Sequence, residues 1–445
     1  MFAIIVGGGK LGFSVAQLLN EEDYDVTVIE PDEERCRIID DRLDVITVQG
    51  NGASISVLDE AGLNQANLLV AVTGIDEVNM VACMLAKQAG VENTVARVRN
   101  PEYLEDKSSG RNLLSGIDLI INPELVTARE IVKLIEIPEA LDVMYCFDRK
   151  AMLLELPITE GSSTDGRRID QIKTEWPLLI VAIIRKKKVI IPRGSDKIMA
   201  GDTIYLLART DEMANVERYL GLERRQTERV MILGGGRTGS HLAALLEDKN
   251  YAVRLLEKDY RKCELLSEEL RHTLVIHGDA TDIDLLHQEG ADQADVFVSV
   301  TDDDKVNLLA CLIAKHLGAK KAIAQVRRSD YIGLIQSVGI DIGVSPRILT
   351  TNAIMRFIKN NKNLLSVTFL REEEAGVMEF NVSEKSKVAG KQLMDLYFPS
   401  GSLVGSILRD GEVMIAKGRD RLQPGDVVTV FALNQAADKV IQFFD

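Results

Sequence analysis

Apolar residues along this chain fall into short runs separated by stretches of helical spacing, and the alternation occurs twice. In the first 130 residues FAIIVG, YDVTVIE, DVITVQG, NLLVAVT and TVARVR read as strands. LGFSVAQLLN, DEERCRIIDD, ISVLDEAG and DEVNMVACMLAKQAG read as the helices between them. Strands apolar at nearly every position are covered on both faces, so the pattern predicts a parallel, doubly wound α/β sheet. Farther on, strands around 151–156, 179–184, 188–192 and 203–208, with helices at 166–173 and 211–220, predict a small α+β module.

The second half repeats the first. Gly7, Gly9, Gly12, Glu30 and Cys36 fall on Gly234, Gly236, Gly239, Glu257 and Cys263. VAVTGIDEVNMVACMLAKQAG matches VSVTDDDKVNLLACLIAKHLG, and IPRGSDKIMAGDTIYLLA resembles IAKGRDRLQPGDVVTVFA. The expected organisation is therefore two tandem Rossmann-like lobes, 1–130 and 228–350, each followed by a small α+β lobe, 140–224 and 362–445.

Composition narrows the function classes. A chain of 445 residues with 46% apolar and 27% charged residues has the balance of a folded, soluble protein. Its formal net charge of -15 disfavours nucleic acid as a partner. Five cysteines without a C-x-x-C pair argue against a disulfide framework or zinc site and for a reducing compartment. Met1 leads directly into a strand without a secretory signal pattern, and WPLLIVAII at 176–184 is too short to span a bilayer, so a cytoplasmic location is expected.

The chemistry suggested first is nucleotide binding. Strand, G-x-G-x-x-G and helix form a dinucleotide fingerprint, in which Gly7 turns tightly, Gly9 admits a diphosphate and Gly12 lets helix and sheet approach. Amides at the start of the helix then face the phosphates. Glu30, 18 residues after Gly12 at the end of the second strand, can accept ribose hydroxyls, as can Glu257. Both sites should therefore prefer NAD(H) or adenosine phosphates over NADP.

Asn51 and Asp279 end the third strands near the expected adenine edge. Thr73 and Gly74, with Thr301 and Asp302, follow the fourth strands at the switch point of the sheet. Arg97 and Arg99, then Arg327 and Arg328, follow the fifth strands, where they could reach phosphates or form surface ion pairs.

A catalytic site is harder to find. G-K-[ST] is missing after both glycine turns, so P-loop phosphoryl transfer is excluded, and neither H-E-x-x-H nor G-x-S-x-G occurs. The histidines form no evident acid/base constellation; His241, on the first turn of its helix, reads as a packing or solvent-facing residue. Cys83 and Cys311 read as small core hydrophobes. RKKK at 185–188 aligns with RDGE at 409–412 and is expected to be a solvated hairpin turn. An NAD-dependent oxidoreductase and a pseudo-domain protein with empty pockets are the alternatives to a nucleotide-binding regulator.

The GGGKLG and GGGRTG turns, the acids at 30 and 257, GDAT beginning at Gly278, and the trailing AGDTIYL and PGDVVTV segments resemble the RCK (or KTN) domains that regulate potassium transport. The doubled arrangement is similar to the regulatory subunits of bacterial Trk potassium-uptake systems. The resemblance implies a non-enzymatic subunit at the cytoplasmic face of the inner membrane that binds NAD(H), with ATP or ADP as further candidates. Its implied partners are a membrane potassium-translocating subunit of TrkH/TrkG type and further copies of itself, in a homo-tetrameric ring of RCK domains. It implies contacts in the first half from Gly7, Gly8, Gly9, Lys10, Leu11, Gly12, Glu30, Asn51, Thr73, Gly74, Arg97, Val98 and Arg99. In the second half it implies Gly234, Gly235, Gly236, Arg237, Thr238, Gly239, Glu257, Asp279, Thr301, Asp302 and Arg327. Differences between GNGAS and GDAT, and between TGID and TDDD, suggest that the two pockets differ in ligand preference or charge.

Overall fold

A computed structural model describes residues 1–103, 116–186, 188–221, 227–279, 281–328, 331–358, 364–369 and 375–444. The expected boundary near 225, Lys187 of the RKKK run and Ala280 of GDAT lie outside the described residues.

In the first lobe the strands are β1 (Phe2–Val6), β2 (Asp25–Glu30), β3 (Ile46–Gln49), β4 (Leu68–Ala71), β5 (Asn93–Arg97) and β6 (Leu119–Ile121). They form one sheet in the order β3-β2-β1-β4-β5-β6, with the registered pairs parallel. Helices α1 (Lys10–Glu21), α2 (Glu33–Asp40), α3 (Ile55–Glu60) and α4 (Asp76–Gln88) connect the first five strands, and α5 (Pro123–Glu136) follows β6. Ile4, Ile5, Leu69 and Val70 are fully buried, as continuous apolar strands require. Strand order reverses between β1 and β4, so the loops after these two strands part and leave a crevice at their carboxyl ends.

The second lobe reproduces this order from Arg229–Leu233 to Ile342–Val344. The last helix of the second half packs on the first lobe. Helix Pro346–Ile358 of the second half places Ile354 and Met355 in the same core as Val15, Ala16 and Leu19 of α1. Val126 of α5 packs against that same core, and Glu124 and Arg129 of α5 lie within electrostatic reach of His241 on helix Arg237–Glu247.

Contacts divide the chain into two units, Met1–Glu130 with Met231–Ile358 and Ile131–Val230 with Lys359–Asp445. The second unit holds the small modules. In the first of them, the central strand Thr203–Arg209 lies antiparallel between Ala151–Pro157 and Leu178–Arg185. Cys146, Val181 and Tyr205 share one core with Val377, Val413 and Phe431 of the other module. Buried Asp202 accepts two 2.7 Å bonds from Arg185, and Asp426 does the same from Arg409, locking each hairpin to the turn before its central strand.

The hairpin reading of the RKKK run holds, with Arg185 opposite Lys188 and Arg409 opposite Glu412. The helix expected at 166–173 does not form. Only Ile169–Gln171 makes one 3-10 turn, because Gly166 at φ +74° turns the chain and Arg168 pairs with Lys197 as a β-bridge. Strand Asp142–Cys146, which pairs with Ala151–Pro157, was also not anticipated. Among the described residues no helix is long and apolar enough to cross a membrane.

Candidate functional site

The glycines of the two turns have separate physical roles. Gly7 has φ +104°, and a Cβ there would stand 3.0 Å from the backbone nitrogen and Cγ2 of Thr73. Gly12 lies so close to the turn that a Cβ would meet the Gly7 carbonyl oxygen at 1.9 Å. Gly234 and Gly239 repeat these constraints, with 3.1 Å to Thr301 and 1.9 Å to the Gly234 oxygen. At Gly9 and Gly236, by contrast, a Cβ meets nothing within 4 Å. These two positions leave open the space that a ligand would need.

Gly9 and Gly236 also begin helices without a side-chain cap, whereas Asp32 caps α2 by accepting from the Glu34 and Arg35 amides. An uncapped N-terminus offers free N–H groups and a positive dipole end to an anion. The acids behind the turns hold this arrangement in place. Buried Glu30 accepts the Gly8 amide at 2.6 Å and the Asp32 amide at 3.2 Å. Glu257 likewise accepts from Gly235 at 2.7 Å and Asp259 at 2.9 Å. Both carboxylates line the cleft while they brace the turn.

Two polar residues passed over in the sequence brace the loops of the opposite wall. Asn79 is completely buried; its Oδ1 accepts from the Thr73 amide and hydroxyl, both at 2.8 Å, and its Nδ2 donates to the Arg97 carbonyl at 2.8 Å. Asn307 does the same for Thr301 and the Gln325 carbonyl. Asp76 then accepts the Arg99 and Asn100 amides at 2.8 Å, as Asp304 accepts those of Arg327 and Arg328. The signal for the asparagines was present: VN recurs in register inside an apolar helix, where a polar residue needs a reason.

Both turns face one cavity of about 1120 Å³ within the first unit. That exceeds the roughly 300–1,000 Å³ of a single small-molecule pocket, leaving room for two ligands. Its lining includes Gly7, Gly9, Lys10, Leu11, Glu30, Asn51, Thr73, Gly74, Arg97 and Arg99 from the first half. From the second it includes Gly234, Gly236, Arg237, Thr238, Glu257, Asp279, Thr301, Asp302 and Arg327. Gly8, Gly12, Gly235 and Gly239 stand behind this wall, and Val98 is fully buried in the core. Arg328 turns away from the cavity and lies over the Tyr331 ring at 5.1 Å.

Charge differs between the halves. Arg97 and Arg99 approach Glu124 only to 3.9 and 4.0 Å, and Arg99 approaches Asp76 to 3.8 Å. Nε of both arginines, Oε2 of Glu124 and Oδ1 of Asp76 are buried without a hydrogen-bond partner. Burial first, then the neighbouring Arg99, push the Arg97 guanidinium below its ordinary value; Glu124 and Asp76 oppose this and Arg237 adds to it. In the second half Gln325 replaces Arg97, and Arg327 is ion-paired with Asp302. Asp279 is held below the usual carboxylate range, chiefly by the Thr281 amide and hydroxyl at 2.9 Å, whereas Asn51 accepts the Ala53 amide at 3.0 Å.

The remaining candidates have structural surroundings. His241 is half-buried, and desolvation lowers its pKa from the ordinary 6.5. All five cysteines are buried thiols; desolvation pushes Cys83 up to about 12 and Cys311 higher still.

Comparison with known proteins follows the same division of the chain. The TrkA-N domain model matches residues 3–123 and 230–346, and the TrkA-C domain model matches residues 153–221 and 377–445. Trk system potassium uptake protein TrkA homolog 1 of Methanosarcina mazei is 37% identical over 452 residues, covering 100% of both chains. Trk system potassium uptake protein TrkA of Vibrio alginolyticus is 34% identical over 443 residues, covering 98% of this chain and 96% of that one. Among solved structures, the GsuK channel bound to NAD shares the fold, with a TM-score of 0.64 at 19% identity over 100% of this chain and 78% of that chain. The isolated GsuK RCK domain also matches with a TM-score of 0.64, at 18% identity over 100% of this chain and 94% of that chain. With paired TrkA-N and TrkA-C segments in this order and relatives above 30% identity along its whole length, the chain belongs to the TrkA family of Trk-system potassium uptake proteins.

Proposed function

We propose that this chain is a nucleotide-sensing regulatory subunit that controls potassium uptake through a separate membrane protein. The observation that carries the reading is the pair of uncapped glycine turns opening on one cleft, each backed by a buried carboxylate. NAD(H), ATP and ADP are the ligands proposed, with diphosphates at the helix starts and riboses near Glu30 and Glu257. The lobes 1–130, 140–224, 228–350 and 362–445 are taken as the functional divisions of the chain.

Regulation requires that a ligand bind one arrangement of the lobes better than another; equal affinity would shift nothing. Helix Pro346–Ile358 supplies a route for such a difference, because it runs from the cleft, at Pro346, Arg347 and Thr350, into the core of the opposite lobe. The proposed partner is a membrane potassium-translocating subunit of TrkH/TrkG type at the cytoplasmic face of the inner membrane. Several copies of the chain would assemble beneath it, with a homo-tetramer as the working assignment.

Calorimetric titration of the intact chain with NADH, NAD, ATP and ADP tests the reading. Saturable binding of at least one of them is expected, and its absence up to millimolar concentration would overturn it.

A further inference from the structure

The two small modules differ at one exposed turn. In the second module Leu393, Leu396 and Phe398 pack against the core, while Met394 and Tyr397 between them stay out, 69% and 95% exposed. Gln392 bridges Arg421 as Arg168 bridges Lys197, which fixes the correspondence with the first module. There the same two places hold Asp170 and Lys173, and Asp170 ion-pairs with Arg168. The fold therefore does not require apolar side chains here, and an exposed methionine and tyrosine need another reason.

Basic residues stand beside them. The Met394 amide donates to the Gly418 carbonyl at 2.7 Å, and a Cβ on Gly418 would lie 3.4 Å from the Met394 Cβ. Gly418 sits between Lys417 and Arg419, both exposed, and Arg419 replaces Ser195 of the first module. Among the described residues, neither of these side chains nor that of exposed Lys391 makes an ion pair. Asp395 is the one acid between 391 and 398.

We propose that this turn of the second small module is a docking surface for an anionic phospholipid bilayer, with Met394 and Tyr397 entering the headgroup layer and Lys391, Lys417 and Arg419 facing lipid phosphates. A tyrosine joins an apolar ring to a polar tip, which suits that depth, and basic side chains are drawn to the negative cytoplasmic leaflet. At 95% exposure Tyr397 projects from the surface, and a fluid headgroup layer receives such a side chain without a shaped pocket. A membrane protein is the poorer occupant, because its cytoplasmic loops carry an excess of lysine and arginine and would repel the same basic residues. The formal net charge of -15 keeps the rest of the chain off an anionic surface, so the turn sets which face approaches. This rests on the functional reading above only for placing the chain at a membrane.

Co-sedimentation of the intact chain with vesicles tests the docking, comparing phosphatidylcholine alone with phosphatidylcholine mixed with phosphatidylglycerol. Binding is expected to the mixed vesicles only, weakening as salt is raised. Met394→Asp combined with Tyr397→Lys installs the residues of the first module at constant net charge. It should weaken binding by roughly tenfold, the scale of partly burying two such side chains. Lys417→Gln with Arg419→Gln should weaken it by more than roughly tenfold, at about fivefold for each basic residue. A thermal melt shows that both variants fold. Binding to neither kind of vesicle, equal binding to both, or binding that ignores the two double variants would overturn the proposal, as would attachment only to vesicles that hold the membrane partner. Titration of the wild-type chain with NADH and ATP is read separately: failure there overturns the nucleotide reading and leaves the vesicle result standing.

Discussion

The backbones of the two glycine turns are constrained almost identically, yet the side chains around them carry different charges. Gly7 and Gly234 press on corresponding threonines, Thr73 and Thr301, Gly12 and Gly239 on the corresponding carbonyls of Gly7 and Gly234, and Asn79 and Asn307 tie corresponding pairs of loops. Arg97 and Gln325, Gly74 and Asp302, and Glu124 and Arg347 differ outright. Close packing and buried hydrogen bonds allow few alternatives, so the frame is retained. The rim contacts ligand and solvent, where charge can change without disturbing the frame.

That comparison can be broken at its strongest point. Gly12→Ala and Gly239→Ala should each cost about 3 kcal/mol, the upper end for overpacking, because the obstructing atom is backbone and cannot move aside. Gly9→Ala and Gly236→Ala should stay within about 0.5 kcal/mol of wild type. Urea denaturation would read both; a similar cost at all four positions would contradict the assigned roles. Next come Asn79→Ala and Asn307→Ala, expected to lose about 2 kcal/mol each by leaving buried loop amides and carbonyls unpaired. A large loss in only one half would show that the frame is not shared.

A smaller effect would sharpen the contrast at the rim. Asp302→Asn should release Arg327 and strengthen ATP at the second pocket by up to about fivefold, the scale of an exposed ion pair. Isothermal titration of the Gly9→Val background would detect it. The smallest effect concerns pH. His241 has its folded pKa below the ordinary 6.5, so the unfolded chain takes up a proton that the native state resists. Stability should therefore rise with pH through the window between the folded value and 6.5, and fall on acidification. Replacing His241 with serine, the residue that the other half carries as Ser14, should flatten that part of the melting-temperature profile.

Much of the fold was legible because continuous apolar strands alternate with helices and the repeat aligns each element with a second copy. The helix expected at 166–173 failed because Gly166 and an isolated bridge to Lys197 outweigh a helix-like spacing in GRRIDQIK. The crossover of helix Pro346–Ile358 was not legible: the sequence shows apolar residues in it, but not which lobe receives them. Nor could spacing tell Arg99, which lines the cleft, from its neighbours Val98 in the core and, in the repeat, Arg328 over a tyrosine. Such outcomes depend on partners distant in the chain.

Potassium flux through a membrane partner co-purified with this chain and reconstituted in vesicles tests the central claim most directly. Flux should change on adding NADH or ATP, and the change should disappear when Gly9→Val and Gly236→Val are combined. Flux that ignores nucleotides already shown to bind, or that responds equally in the double variant, would contradict the account.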